Sequence, residues 1–93
     1  MTEYILNEYI RIADNNIKNA PDCGSVRLMN NILSELKIIV TNQQTPTTMS
    51  KLKQLRKDIE NVFSGRFITP QTRKVQESVL VAVAMAQDYI HTI

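Results

Sequence analysis

The chain has 93 residues, 43% of them hydrophobic, a formal net charge of +2, one cysteine and one histidine. That length supports one domain with a single core and leaves little chain for an elaborate enzyme cleft. The hydrophobic share excludes disorder, two glycines and three prolines are too few for an all-β chain with many tight turns, and a lone Cys23 with a lone His91 provides neither an internal disulfide nor a structural zinc site.

Helix 1 is expected from about Thr2 to Asn19. Thr2 supplies an N-cap hydroxyl, and Glu3 and Glu8 place carboxylates toward the positive end of the helix dipole. Leu6, Tyr9, Ile10, Ala13 and Ile17 recur at helical spacing as the apolar stripe, flanked by Ile5 and Ile12. Asn15, Asn16 and Asn19 lower helix propensity, and Pro21 finishes the turn.

The linker APDCGS collects residues that favour turns for different reasons. Helix 2 follows over about 22–41, with Asp22 or Ser25 as its cap. Met29, Ile32, Leu33, Leu36, Ile39 and Val40 make its stripe, and Asn30, Asn31, Ser34 and Lys37 turn away from it. Cys23, beside the helix start, reads as a small half-buried turn residue.

Polar TNQQT ends that pattern, and Thr45-Pro46 reads as a cap and first helical residue. Helix 3 is expected over about 46–64, with Met49, Leu52, Leu55, Ile59, Val62 and Phe63 on one arc and Gly65 closing it. Arg56 lies at the edge of that arc, placed to lay its stem on the core and to pair with Glu60 one turn on. Phe67 and Ile68 in the next connector are expected to plug the end of the core.

Thr69-Pro70 repeats the cap signature and opens helix 4, about 70–92. Val75, Val79, Ala82, Val83, Ala86, Tyr89, Ile90 and Ile93 form a core face. Leu80, Val81, Ala84 and Met85 are apolar on the other side, so for two turns the helix has almost no polar face. Such a helix either sits centrally in the fold or shows an apolar patch to a partner. Short loops make consecutive helices antiparallel neighbours, so the expected fold is all-α: an antiparallel up-down four-helix bundle, with residues 1–93 as a single domain.

Charge is unevenly spread. Residues 1–50 carry four basic and five acidic side chains, 51–74 seven basic and two acidic, and 75–93 two acidic, giving −1, +5 and −2. Lys51, Lys53, Lys57, Arg66, Arg73 and Lys74 are therefore the candidate partner-binding cations, Arg56 being set apart by its place at the edge of the core. No phosphate-binding glycine loop, zinc-protease motif, C-x-x-C or nucleophile elbow is present. His91 reads as a solvated helix-end residue. The expectation is a non-enzyme without cofactor or metal. The N-terminus has acidic residues where a signal peptide needs basic ones, and the longest apolar run, Val79–Ala86, is far short of the ~20 residues that span a bilayer. A cytoplasmic protein is expected.

The stretch QQTPTTMSKLKQLRKDIENVFSGRFITPQTRKVQESVLVAVA resembles the second half of the immunity proteins for pediocin-like, or class IIa, bacteriocins, the enterocin A immunity family. The features that carry the resemblance are Thr45-Pro46 opening helix 3, the register Met49-Leu52-Leu55-Ile59, and Thr69-Pro70-Gln71 opening helix 4. It covers about half of the chain, helices 1 and 2 agreeing in length and amphipathicity. The resemblance implies a small cytosolic four-helix bundle that protects a Gram-positive cell from an antimicrobial peptide. It further implies action from inside, at a complex of the bacteriocin with its membrane permease receptor, with specificity in the C-terminal half. Peripheral membrane contact through the cations, with Leu80, Val81, Ala84 and Met85 as a packing patch, fits that role. The alternative is a small helical nucleic-acid-binding regulator, for which Gln71, Arg73, Lys74 and Gln76 supply base-reading residue types. A monomer or a weak homodimer through the apolar belt is expected.

Overall fold

A computed structural model describes residues 3–21, 23–41, 48–63 and 70–92, with the side chains of Glu3, Val62, Phe63, His91 and Thr92 outside the description. It contains four helices: α1 (Glu3–Lys18), α2 (Gly24–Thr41), α3 (Thr48–Phe63) and α4 (Pro70–Thr92). They form an antiparallel four-helix bundle, as the apolar periodicities predict. Thr2, Thr45, Pro46, Ser64, Gly65, Arg66, Phe67, Ile68, Thr69 and Ile93, on which sequence expectations fell, lie outside the described residues.

The helix ends follow from local chemistry. At the end of α1 the Asn19 amide donates to the Asn15 carbonyl at 3.1 Å, and the Ala20 amide to Ile17 at 3.2 Å. This last step is a tighter three-residue turn that ends the helix before Pro21, whose nitrogen has no hydrogen to continue the ladder. At the start of α2 the Arg27 amide donates to the Cys23 carbonyl at 3.0 Å, so Cys23 occupies the cap position. Ser25 is therefore not the cap. The chain enters the helix at Gly24, and Ser25 already lies within the first turn; Asp22 is outside the described residues. Cys23 is a half-buried free thiol at this turn, as expected.

The core is one cluster. Leu6, Ile10 and Ala13 of α1 meet Met29, Leu33, Leu36 and Val40 of α2, Leu52, Leu55 and Ile59 of α3, and Val75, Val79, Ala82, Val83 and Ala86 of α4. Each set repeats at three- and four-residue steps, so each helix contributes one stripe. Burying a side chain such as Leu33 contributes on the order of 2 kcal/mol. The buried polar residues among those described are Thr48 and Thr72, at the starts of α3 and α4. No charged side chain is buried among the described residues, so no ion must be desolvated to form this core.

The bundle is not square in section. Both α2 and α4 pack against all three other helices, whereas α1 and α3 do not touch among the described residues. With helices at ordinary spacing a square section would have two similar short dimensions; here the extents are 37 × 23 × 16 Å. The section is a rhombus whose short diagonal joins α2 and α4. This explains the wide apolar arc of α4, because a helix at an obtuse corner needs apolar side chains toward three neighbours rather than two.

Candidate partner-binding surface

Helical geometry divides the candidate residues of α4 between two flanks. Arg73, Leu80 and Gln87 are spaced by seven residues, two turns apart, and form one stripe. Arg56 of α3 donates from Nη1 to the Gln87 Oε1 at 3.4 Å, which fixes this stripe as the flank toward α3. Lys74 and Val81 form the next stripe round. They line a shallow groove of about 250 Å³ with Tyr9, Ile12 and Asn16 of α1, so this is the flank toward α1.

The apolar belt is divided in the same way. Leu80 and Met85 are partly buried and pack against the core cluster, Ala84 is half-buried, and Val81 is 38% exposed. The belt is not one open patch. Most of it completes the seams of α4 with its neighbours, and Val81 with Ile12, 42% exposed, is what remains accessible on the α1 side.

The cations do not share one face. Lys53 precedes Arg56 by one turn and Lys57 follows Lys53 by one turn, so both lie on the outer surface of α3, and both are exposed. Arg73, exposed on the α3 flank of α4, belongs to the same α3–α4 side. Lys51 instead lines a groove of about 350 Å³ between α2 and α3, with Glu35, Ile38, Ile39, Gln54, Leu55 and Asp58. Lys74 lines the α1–α4 groove. The α2–α3 and α1–α4 seams are opposite faces of the bundle, so no single partner surface collects Lys51 and Lys74 together. Arg66 lies outside the described residues. Arg56 is exposed and reaches Gln87 on α4; the local pair with Glu60 expected from their spacing is not made.

Two features of the surface were not singled out from sequence. Ile38 is 61% exposed beside the α2–α3 groove, and Leu28, 43% exposed, stands on the same helix. The signal was present for Ile38: it falls about 180° from the centre of the α2 stripe, an isoleucine on a polar face. Lys37 on α2 also pairs with Asp14 on α1, Nζ to Oδ2 at 2.7 Å, a contact that no local spacing encodes.

On α1 the Glu8 and Arg11 side chains form an exposed ion pair at 3.0 Å. The hydrogen bond from the Arg11 guanidinium, reinforced by its charge, holds the Glu8 carboxyl below its ordinary value. The same bond raises Arg11. This is helix-surface chemistry, one turn apart on α1, and not a catalytic arrangement. Among the described residues no group of three or more His, Cys, Asp or Glu side chains could hold a metal ion, and no helix is long and apolar enough to cross a membrane.

Among the described residues, exposed cations lie over a half-buried apolar seam on the α3–α4 side, and the α2–α3 and α1–α4 seams carry open grooves of mixed lining. Comparison with protein-family models, with curated proteins and with solved structures finds no match to the chain.

Proposed function

We propose that this chain is a bacteriocin immunity protein, a non-enzymatic module that protects a Gram-positive cell from class IIa bacteriocins by engaging the bacteriocin–permease complex at the cytoplasmic face of the membrane. The observation that carries the proposal is the antiparallel four-helix bundle in a chain whose residues 43–84 resemble the C-terminal half of that family. The α3–α4 side offers the working surface. There Lys53, Lys57 and Arg73 are exposed around the partly buried Leu80. Near an anionic leaflet or an acidic permease loop each such cation is worth about 1 kcal/mol.

The distribution of charge weighs against the alternative, a small helical nucleic-acid-binding regulator. Reading a nucleic acid requires cations that follow one phosphate backbone, and Lys51 and Lys74 line opposite seams of the bundle. The functional experiment is expression of the chain in a strain sensitive to class IIa bacteriocins, followed by challenge with a panel of them. Protection against at least one member supports the proposal; unchanged sensitivity to the whole panel overturns it.

A further inference from the structure

We infer that the α2–α3 groove is a self-association surface, whose occupant is the same groove of a second copy of the chain. The groove has an apolar floor built from Ile39 of α2 and Leu55 of α3, with Ile38 rising beside it. At 61% exposure Ile38 is the most exposed aliphatic side chain among the described residues. An isoleucine left in water forfeits most of its burial energy, and a neighbour that covers it recovers that energy.

Charge chooses the neighbour. One wall of the groove carries Glu35 and the other Lys51, and neither forms an ion pair with a described residue. The other carboxylate of the groove, Asp58, already accepts a hydrogen bond from the Gln54 amide nitrogen at 2.9 Å. A uniformly cationic or anionic partner would satisfy only one of the two open charges. A second copy satisfies both. A two-fold axis parallel to the helices places α2 of one copy against α3 of the other, so the wall that carries Glu35 meets the partner copy's lysine-bearing wall, and the wall that carries Lys51 meets the partner copy's glutamate-bearing wall. The two exposed isoleucines then close over the shared floor. Reciprocal pairing of this kind is what an isologous interface requires.

The area sets the strength. Helices of 18 and 16 residues are about 24–27 Å long, and two side by side present a face about 20 Å wide, or roughly 500 Å² per copy. Stable interfaces bury about 800 Å² per partner, so this dimer is weak and reversible, with a dissociation constant in the micromolar range or above. The inference is independent of the proposed function, because the groove lies outside the α3–α4 side.

Sedimentation of the full chain over about three decades of concentration, up to the high-micromolar range where an interface of this size is populated, tests it. The wild-type chain is expected to dimerise reversibly. Ile38→Gln weakens association at least about tenfold, since each dimer loses two isoleucine contacts. Glu35→Lys and Lys51→Glu each weaken it by about tenfold, and the double exchange E35K/K51E restores it to within about threefold of wild type. All three positions substituted this way are exposed, and unchanged circular dichroism establishes that the variants fold. A chain that is monomeric throughout overturns the inference and leaves the groove to a partner of other chemistry. So does a dimer indifferent to Ile38→Gln, or a double exchange no better than the single ones.

Discussion

Lys37 Nζ and Asp14 Oδ2 lie 2.7 Å apart and tie the last third of α2 to the last turns of α1. The side chains are 45% and 33% exposed, so water and salt compete for both charges. A double-mutant cycle of Lys37→Ala and Asp14→Ala should give a coupling of about 0.5 kcal/mol, at most about 1 kcal/mol. That coupling should shrink as ionic strength rises. A larger coupling that ignores salt would mean the pair is more enclosed than its exposure implies.

The two sides of α4 should respond to the same substitution with very different losses of stability. Val83 is fully buried and Val81 is 38% exposed. Val83→Asp places an unpaired carboxylate in the core and should cost more than about 3 kcal/mol, enough to unfold a marginal domain. Val81→Asp should cost about 1 kcal/mol or less. Urea denaturation of the two variants gives the comparison directly.

That contrast also marks how far the sequence carried the fold. Leu6-Ile10-Ala13, Leu33-Leu36-Val40, Leu52-Leu55-Ile59 and Val75-Val79-Val83 were all legible as core, and all are buried, because helical periodicity is a local property of the chain. Which flank of α4 meets which neighbour was not legible. Leu80 and Met85 could be read equally as part of a central helix or as a patch for a partner, because a single helix cannot report that it sits at an obtuse corner of a rhombus, touching three partners. For the same reason Lys51 and Lys74 looked like parts of one basic segment, whereas the bundle sends them to opposite seams. The start of α2 was misjudged by the side-chain rule for caps, since the bond that sets it comes from the Cys23 backbone carbonyl.

Gly24 opens α2, and a Cβ built there meets no atom within 4 Å. Gly24→Ala therefore removes unfolded-state freedom without a clash. It should stabilise the protein by about 0.5 kcal/mol, a rise of about 2–4 °C in melting temperature for a domain of this size. A fall in melting temperature would show that the α2 start needs a backbone conformation that alanine resists.

Protonation of Glu8 gives a sign that can be checked. Its carboxyl is held below the ordinary value by the Arg11 hydrogen bond, so the native state favours the charged form. The associated stability is fully present above the unfolded-state carboxylate range and is lost as pH falls through the lowered native value. Both groups are solvent-exposed, so the effect on melting temperature should be within error. An NMR titration resolves it instead: Arg11→Ala should return the Glu8 titration upward to the ordinary carboxylate range, and an unchanged midpoint would dismiss the pair.

The proposed function is tested most directly by the inhibitory concentration of class IIa bacteriocins against a sensitive strain producing this chain. The wild-type protein should raise that concentration at least about tenfold for one bacteriocin of the panel, and K53E/K57E should lose most of the gain, because two cations worth about 1 kcal/mol each are reversed. These exposed changes should leave stability within about 0.5 kcal/mol. A stably produced wild-type chain that changes no inhibitory concentration contradicts the account, and so does protection that K53E/K57E leaves intact.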